Sequence, residues 1–380
     1  MSRRASIRAG LTALLAVPGL ALASVAVAPA SATSIAAVHI PTWHVDYRQP
    51  GTDISAITAT GPGNAWAIGL DRRHGLAGLL LHWNGARWRS MSYPGQSSFL
   101  PDAIFALSAT NFWLFGQDAM PPYQALHWHD GEWSELQLPN GAQPMAVLSD
   151  NDIWVQGGSM PNCYYSSDSG RGCTATSNWN GTSWATYPLA AQTVVSVSAS
   201  SPSDVWLVGE SYAQTKPAPH HFGTITTTLP HVYRWTGTGW QRSGLAVRRT
   251  SGNPSIVADS AKDVFVAEAS TSHKTACAMH WNASKWTPFY RPGSHGACDW
   301  MVSDYHGGLW FAGTLGPGIG FAHWTGQRLV TTRRFTPSRS FNTNGFLLAA
   351  VPHSSVAWLF GSYCSLPGAC RTKGLIAELR

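Results

Sequence analysis

Short apolar runs separated by polar turns fill almost the whole chain, and they recur in a fixed order. A first kind of run reads ISAIT at 54–58, AIFALS at 103–108, PMAVLS at 144–149, VVSVS at 194–198 and LLAAV at 347–351. A second follows it, as GNAWAIG at 63–69, NDIWVQGG at 151–158 and SDVWLVGE at 203–210. A third and fourth arrive as one phrase: LLLHWNGARW at 79–88, with counterparts at 126–133, 177–184, 232–240, 279–286 and 322–329. Alternation and β-branched or aromatic content suit half-buried or fully buried strands, and no window sustains a helical period. Asn84-Gly85 and its equivalents mark a tight hairpin between the third and fourth runs.

Each unit therefore holds four short strands, A to D. The strand-B aromatics Trp66, Trp113, Trp154, Trp206, Phe265, Trp310 and Trp358 are spaced from 41 residues (Trp113 to Trp154) to 59 (Trp206 to Phe265). Seven four-stranded units of that period predict an all-β fold, a seven-bladed β-propeller with antiparallel strands. The blades are expected over about 52–95, 101–139, 143–189, 193–246, 254–292, 298–336 and 345–380. The last unit stops at GLIAELR without a strand D, while PTWHVDYRQPG at 41–51 stands alone at the front and resembles RWRSMSYPG at 87–95. Residues 38–50 are thus expected to complete the seventh blade and close the ring. Of 19 Trp, all but Trp300 fall at strand B, C or D positions. Regular placement assigns them to packing between blades rather than to stacking on a sugar.

The apolar strand, the Gly, the variable loop and the LLLHWNG–W–P phrase resemble the kelch-type propeller repeat, also seen in the galactose oxidase central domain. The resemblance runs over 38–380, although the kelch Gly doublet stands only at Gly157-Gly158. The repeat also resembles Trp-rich propellers of secreted actinobacterial proteins, with which an Arg-heavy, Lys-poor, Ala-rich composition agrees. Such folds host binding modules and enzymes alike, so the resemblance implies a fold and leaves the function to the site.

Ahead of the repeats, a basic start (MSRRASIR), an apolar stretch and Ala30-Ser31-Ala32 read as a signal peptide over 1–32. The mature protein, 33–380, is expected to be secreted, by the general secretory route or, given Arg3-Arg4, by twin-arginine export. No second apolar span of membrane length follows. Cleavage removes Arg3, Arg4 and Arg8 and lowers the net charge from +6 to +3. With no long Lys/Arg run, a nucleic-acid groove is not expected. Six Cys in an exported chain predict three local disulfides, Cys163–Cys173, Cys277–Cys298 and Cys364–Cys370. Metal ligation by these Cys is the alternative, and the chain lacks a Cys-x-x-Cys pair.

In a propeller the A–B and C–D turns share one face and the B–C and D–A loops the other. The first set is short and repetitive here. The second varies, with its longest members at 159–175 and 210–230. A rigid scaffold carrying variable loops suits a binding surface. Its candidate ligand-binding residues are Tyr123, Tyr164, Tyr165, Asp168, Arg171, Tyr212, His220, His221 and Tyr363. A ring at the channel mouth is a second candidate, from Asp53, Asp102, Gln143, Thr193, Asn253, Asp299 and Asn344. Such a ring could hold a hard cation, but Asp and Asn also start strands after turns, and that reading is preferred. Asp152, Asp204, Asp263, Asn64 and Asn111, two residues before the strand-B aromatic, read as turn formers. The repeated His82, His127, His280 and His323 read as packing or hydrogen-bonding groups rather than ligands. Asn180 and Asn282 head glycosylation-like triplets but occupy hairpin turns.

Enzyme motifs are absent: there is no Gly-x-Ser-x-Gly, His-Glu-x-x-His or phosphate loop. No catalytic residue, metal site or cofactor is therefore expected. The chain reads as a monomeric, non-catalytic binding protein for an extracellular glycan or protein. A polysaccharide lyase or hydrolase using His220, His221 or His231 is one alternative. A structural protein of a surface assembly is another.

Overall fold

A computed structural model describes residues 42–380 apart from 74, 118–122, 140–141, 158–173, 192, 218–223, 246–253, 268–277, 291–299, 315–318, 332–334, 336–345, 353, 355, 365–371 and 380. Within 212–229 and at 290, 314, 331, 346 and 364 it describes backbone alone. The described strands form seven sheets of four antiparallel strands, a seven-bladed β-propeller. Six sheets run A-B-C-D in chain order. In blade 5, for example, they are Ser255–Ser260, Asp263–Ala267, Ala278–Trp281 and Trp286–Tyr290. The seventh takes Phe346–Ala350, Ala357–Cys364 and Thr372–Leu379, and its outer strand is Trp43–Pro50 from the front of the chain. No helix among the described residues is long and apolar enough to cross a membrane.

The repeated aromatics explain why these sheets pack as blades. A sheet buried on both faces needs wide side chains to span the gap to its neighbours. All seven strand-B aromatics are buried, with Trp206 and Trp358 at 1% exposure. Seven clusters of buried side chains lie one at each boundary between consecutive blades, including that between blades 7 and 1. Trp154 meets Trp235 at 4.9 Å between ring centroids across blades 3 and 4, and Trp88 meets Trp358 at 5.4 Å across blades 1 and 7. The A strands of neighbouring blades also touch, which makes them the inner ring.

Two features differ from the sequence expectation. The C–D connections headed by Asn are four-residue turns rather than two-residue hairpins. Trp83 pairs with Trp88, and Asn84 Oδ1 accepts the amides of Ala86 and Arg87, both at 3.1 Å. Asn180 and Asn282 take amides in the same way. The side chain that heads the turn supplies its hydrogen bonds, and the next residue takes a left-handed φ, 86° at Gly85. The second difference is the stretch 210–230, expected as a loop. Strand B of blade 4 runs Asp204–Pro217 and strand C runs Thr224–Trp235, paired as far as Pro217 with Thr224. The run Thr224-Ile225-Thr226-Thr227-Thr228 is β-branched throughout and extends the hairpin beyond the other blades.

Candidate functional site

A polar clasp on the face of the A–B and C–D turns recurs in six blades, built from the same two positions in five of them, while blade 6 takes its acid from Asp304, six residues before Trp310 instead of two. His82 Nε2 donates to Asn64 Oδ1 at 2.8 Å and His127 Nε2 to Asn111 Oδ1 at 2.9 Å. His280 Nε2 lies 2.8 Å from Asp263 Oδ1, and His323 Nε2 lies 2.8 Å from Asp304 Oδ2. Blade 3 uses Asn178 on Asp152 at 2.6 Å, and blade 4 uses Arg234 on Asp204 at 3.3 Å. The His rings also stack on the strand-B aromatic, as closely as 3.9 Å at Trp113. The Asn and Asp read as turn formers therefore also tie strand B to strand C, and the repeated His is part of the frame.

The clasp has a third member. In blades 1, 4 and 5 strand A carries a bulge just before the A–B turn, and the bulged residue faces the clasp acid or amide, whereas in blades 2 and 3 the bulged residue is Leu107 or Leu148. In blade 1 this is Thr60, whose hydroxyl accepts from Asn64 at 2.7 Å. In blade 4 it is Ser200, which donates to Asp204 at 2.6 Å. In blade 5 it is Asp259, set beside Asp263. A second carboxylate thus stands where the other two blades have a hydroxyl.

Asp259 lies in a recess of about 720 Å³. The recess opens where strands A of blades 4, 5 and 6 end (Thr193–Ser201, Ser255–Ser260 and Trp300–Ser303). Ile256, Val257, Met301 and Val302 form its apolar part, and Ser200, Ser260, Ser303 and Asp263 its polar part. Burial pushes the Asp259 carboxyl above the ordinary range. The neighbouring Asp304 and Asp263 push the same way, and a hydrogen bond with Ser303 pulls against them. Its Oδ2 is buried without a hydrogen-bond partner among the described residues. Tyr305 stands at the rim with a left-handed φ of 59° and is 55% exposed. Desolvation by the surrounding chain nevertheless raises its phenol, and the Asp259 charge adds to the shift. A large aromatic held out of the core in a costly backbone conformation is a feature of ligand-gripping turns.

The loop-face candidates fare differently. Tyr164, Tyr165, Asp168, Arg171, His220 and His221 lie outside the described residues, as do Cys163, Cys173, Cys277, Cys298 and Cys370. Tyr212 and Cys364 are in strand B of blades 4 and 7, with backbone alone described. Tyr363 is 4% exposed and belongs to the cluster between blades 6 and 7, with the Arg48 guanidinium 6.0 Å from its ring centroid. Tyr123 opens strand C of blade 2. Its phenol is pushed up to about 12 by burial and by its hydrogen bond to Asp102, itself one of the channel-mouth residues. Others of that ring also have local partners. Asp53 pairs with Arg72 at 2.9 Å, and Gln156 bonds Thr193 at 3.4 Å. Asn253, Asp299 and Asn344 lie outside the described residues. His231 Nδ1 meets the Arg242 guanidinium at 2.7 Å, and burial and that charge push the imidazole below its ordinary value.

Asp259 and Tyr305 escaped sequence reading, although each leaves a trace. Tyr305 is the one Tyr, Phe or Trp in the A–B turn of its unit, and Asp259 is the acid that follows the apolar run Ile256-Val257-Ala258 within strand A of blade 5. As to holding a metal, the described residues contain one trio of imidazole and carboxylate donors within 4.8 Å of one another, His127, His129 and Asp150.

The chain matches no family model and no curated protein. Solved structures share its fold. YCF48 bound to D1 peptide superposes with a TM-score of 0.53 at 13% identity, covering 90% of this chain and 99% of that one. YCF48 from Cyanidioschyzon merolae gives 0.51 at 14%, covering 89% and 98%. A puromycin-hydrolyzing peptidase of Mycobacterium tuberculosis gives 0.53 at 12%, and there this chain spans 52% of the other. At such identities the likeness is one of fold: this chain is a β-propeller, in company with propellers that bind and propellers that belong to enzymes.

Proposed function

We propose that the chain is an exported, non-catalytic binding module. Its recess on blades 4 to 6 holds an extended segment of a partner protein through a basic side chain or other strong hydrogen-bond donor. The observation that carries this reading is Asp259, an acid lining the recess whose Oδ2 is buried without a partner among the described residues, so that a turn of the side chain would bring it to a ligand donor. A buried polar atom left unpaired costs about 1–3 kcal/mol, which a ligand donor would offset. The apolar part suits aliphatic side chains beside that donor, and the serine hydroxyls suit a peptide backbone. YCF48, the fold neighbour captured with a peptide, supports a polypeptide as the class of ligand. The start of the chain, with Ala30-Ser31-Ala32 after its apolar stretch, supports export and with it the three disulfides.

The test is fluorescence-polarisation binding of the purified protein to Lys- and Arg-containing peptides. A polysaccharide panel is run beside it, with product analysis in the same tubes. Saturable peptide binding without cleavage is expected, weakened about tenfold or more by Asp259→Asn or Tyr305→Ala, a loss of about 1.4 kcal/mol. Glycan binding, turnover, or indifference to both substitutions would overturn it. A second reading puts the ligand on the loop face, favoured by the Tyr123–Asp102 pair at its rim. Under it Tyr123→Ala, Tyr164→Ala or Tyr212→Ala would weaken binding and Asp259→Asn would not.

A further inference from the structure

The turn residues beside the clasp follow a repeat of their own, and two departures from it meet across one blade boundary. The residue after the strand-C Trp is Asn or Thr in five hairpins (Asn84, Asn180, Thr236, Asn282, Thr325), and in blade 2 it is His129. The residue four before the strand-B aromatic is Asp150 in blade 3, and elsewhere it is Pro, Ala, His or Ser. Local geometry explains why His129 can face Asp150. The blade 2 hairpin turns on Asp130-Gly131, both with positive φ, so His129 still pairs with Glu132 and strand C is extended through it. His127 and His129 are then alternate strand residues and project to the same face.

We infer that His127, His129 and Asp150 form a binding site for a divalent transition-metal ion, with zinc the fitting example, at the boundary of blades 2 and 3. One donor atom from each lies within 4.8 Å of the others. His127 Nε2 is 3.1 Å from Asp150 Oδ1 and 2.9 Å from Asn111 Oδ1. Two imidazoles and a carboxylate suit zinc, and the Asn111 oxygen or water completes four-coordination. Zinc–nitrogen and zinc–oxygen bonds of about 2.0–2.2 Å require donor atoms somewhat closer than 4.8 Å. His129, with a side chain 53% exposed, has the freedom to close that gap. His127, at 12%, is held flat against Trp113. The His127 Nε2 proton now lies between two oxygen acceptors. A cation would take its place, with the ring moving to the Nδ1–H tautomer and no net proton released from the neutral imidazole. Asp150 is already oriented, since it accepts from Trp113 Nε1 at 3.0 Å and Asn111 Nδ2 at 2.8 Å. That is the outer support expected around a ligating carboxylate. A recess of about 470 Å³ lined by His127, His129 and Glu132 gives the ion a path from solvent.

The test is isothermal titration of the purified, tag-free protein with zinc, with magnesium as control and metal content measured after dialysis. One zinc per chain is expected, with no response to magnesium and a zinc-dependent rise in melting temperature. His129→Asn installs the residue that blades 1, 3 and 5 carry at this turn, so the fold should hold. It should weaken zinc binding about tenfold or more and abolish the thermal shift. Asp150→Asn, which keeps one oxygen on Trp113, should do the same. Absence of stoichiometric zinc, or equal zinc affinity in both variants and the parent, would overturn the inference.

Discussion

Blades 4 and 5 are neighbours built to one plan, and they treat the same carboxylate position in opposite ways. In blade 4, Asp204 is 4% exposed and fully engaged. Its Oδ1 accepts from Trp206 Nε1 at 2.9 Å and from Arg234 at 3.3 Å, and its Oδ2 accepts from Ser200 at 2.6 Å. In blade 5, Asp263 has a side chain 56% exposed. Phe265 offers it no N–H, and the bulged partner is a second acid, Asp259. The first arrangement engages both oxygens of its carboxylate and serves the frame. The second leaves an acceptor over and a recess to receive a donor. Buried Trp Nε1 groups such as those of Trp154 and Trp358 are also left unpaired among the described residues, so what sets Asp259 apart is an unpaired carboxylate oxygen on a residue that lines a recess.

That contrast can be broken most forcefully at Asp204. Asp204→Ala strips the acceptor from Trp206, Ser200 and Arg234 at once and should cost about 2–3 kcal/mol in urea denaturation. Asp263→Ala should stay within about 0.5 kcal/mol. Equal losses would show that the two carboxylates do the same job. A smaller effect of opposite sign is expected at the blade 5 hairpin. Ala283 holds φ 72° where blade 4 has Gly237 at 90°. Ala283→Gly should stabilise by about 0.5–1 kcal/mol, read as a higher denaturation midpoint.

The finest distinction is one of pH. Because the folded state raises the Asp259 carboxyl, the favourable protonated form contributes fully below the ordinary carboxylate value. That contribution is lost as pH rises through the raised one. Asp259→Asn should therefore melt higher than the parent at pH 7, and the two should converge as pH falls below about 4. A gain in stability joined to a loss of peptide binding is the pairing expected of a binding residue. An unchanged or lower melting temperature at pH 7 would remove Asp259 from that role.

What the sequence disclosed follows from the same contrast. Trp66, Trp113, Trp154 and their equivalents recur because every blade must fill the same gap, and recurrence is visible without coordinates. The recess is not recurrent. Asp259 matters through a bulge that turns it towards Asp263, and a bulge shifts the facing of a residue without changing its spacing. The A–B turns looked short and uniform, which directed attention to the opposite face. His129 and Asp150 are 21 positions apart in different blades, and only knowing that those blades are adjacent brings them together. Tyr363 looked like a loop residue because Gly361 and Cys364 flank it, whereas strand B of blade 7 continues through Cys364 and buries it.

The outer strand of blade 7 has a mechanical consequence. Trp43 lies opposite Leu379, and Pro50 lies opposite Lys373. Tension applied through the residues before Trp43 and after Leu379 therefore enters this antiparallel pair at one shared end. Such loading peels the strands apart rung by rung instead of shearing all rungs together. A molecule tethered through both ends would give way first at this seam and at low force. One tethered through a single end would carry no load there, so the manner of attachment alone would decide whether this strand pair is pulled apart.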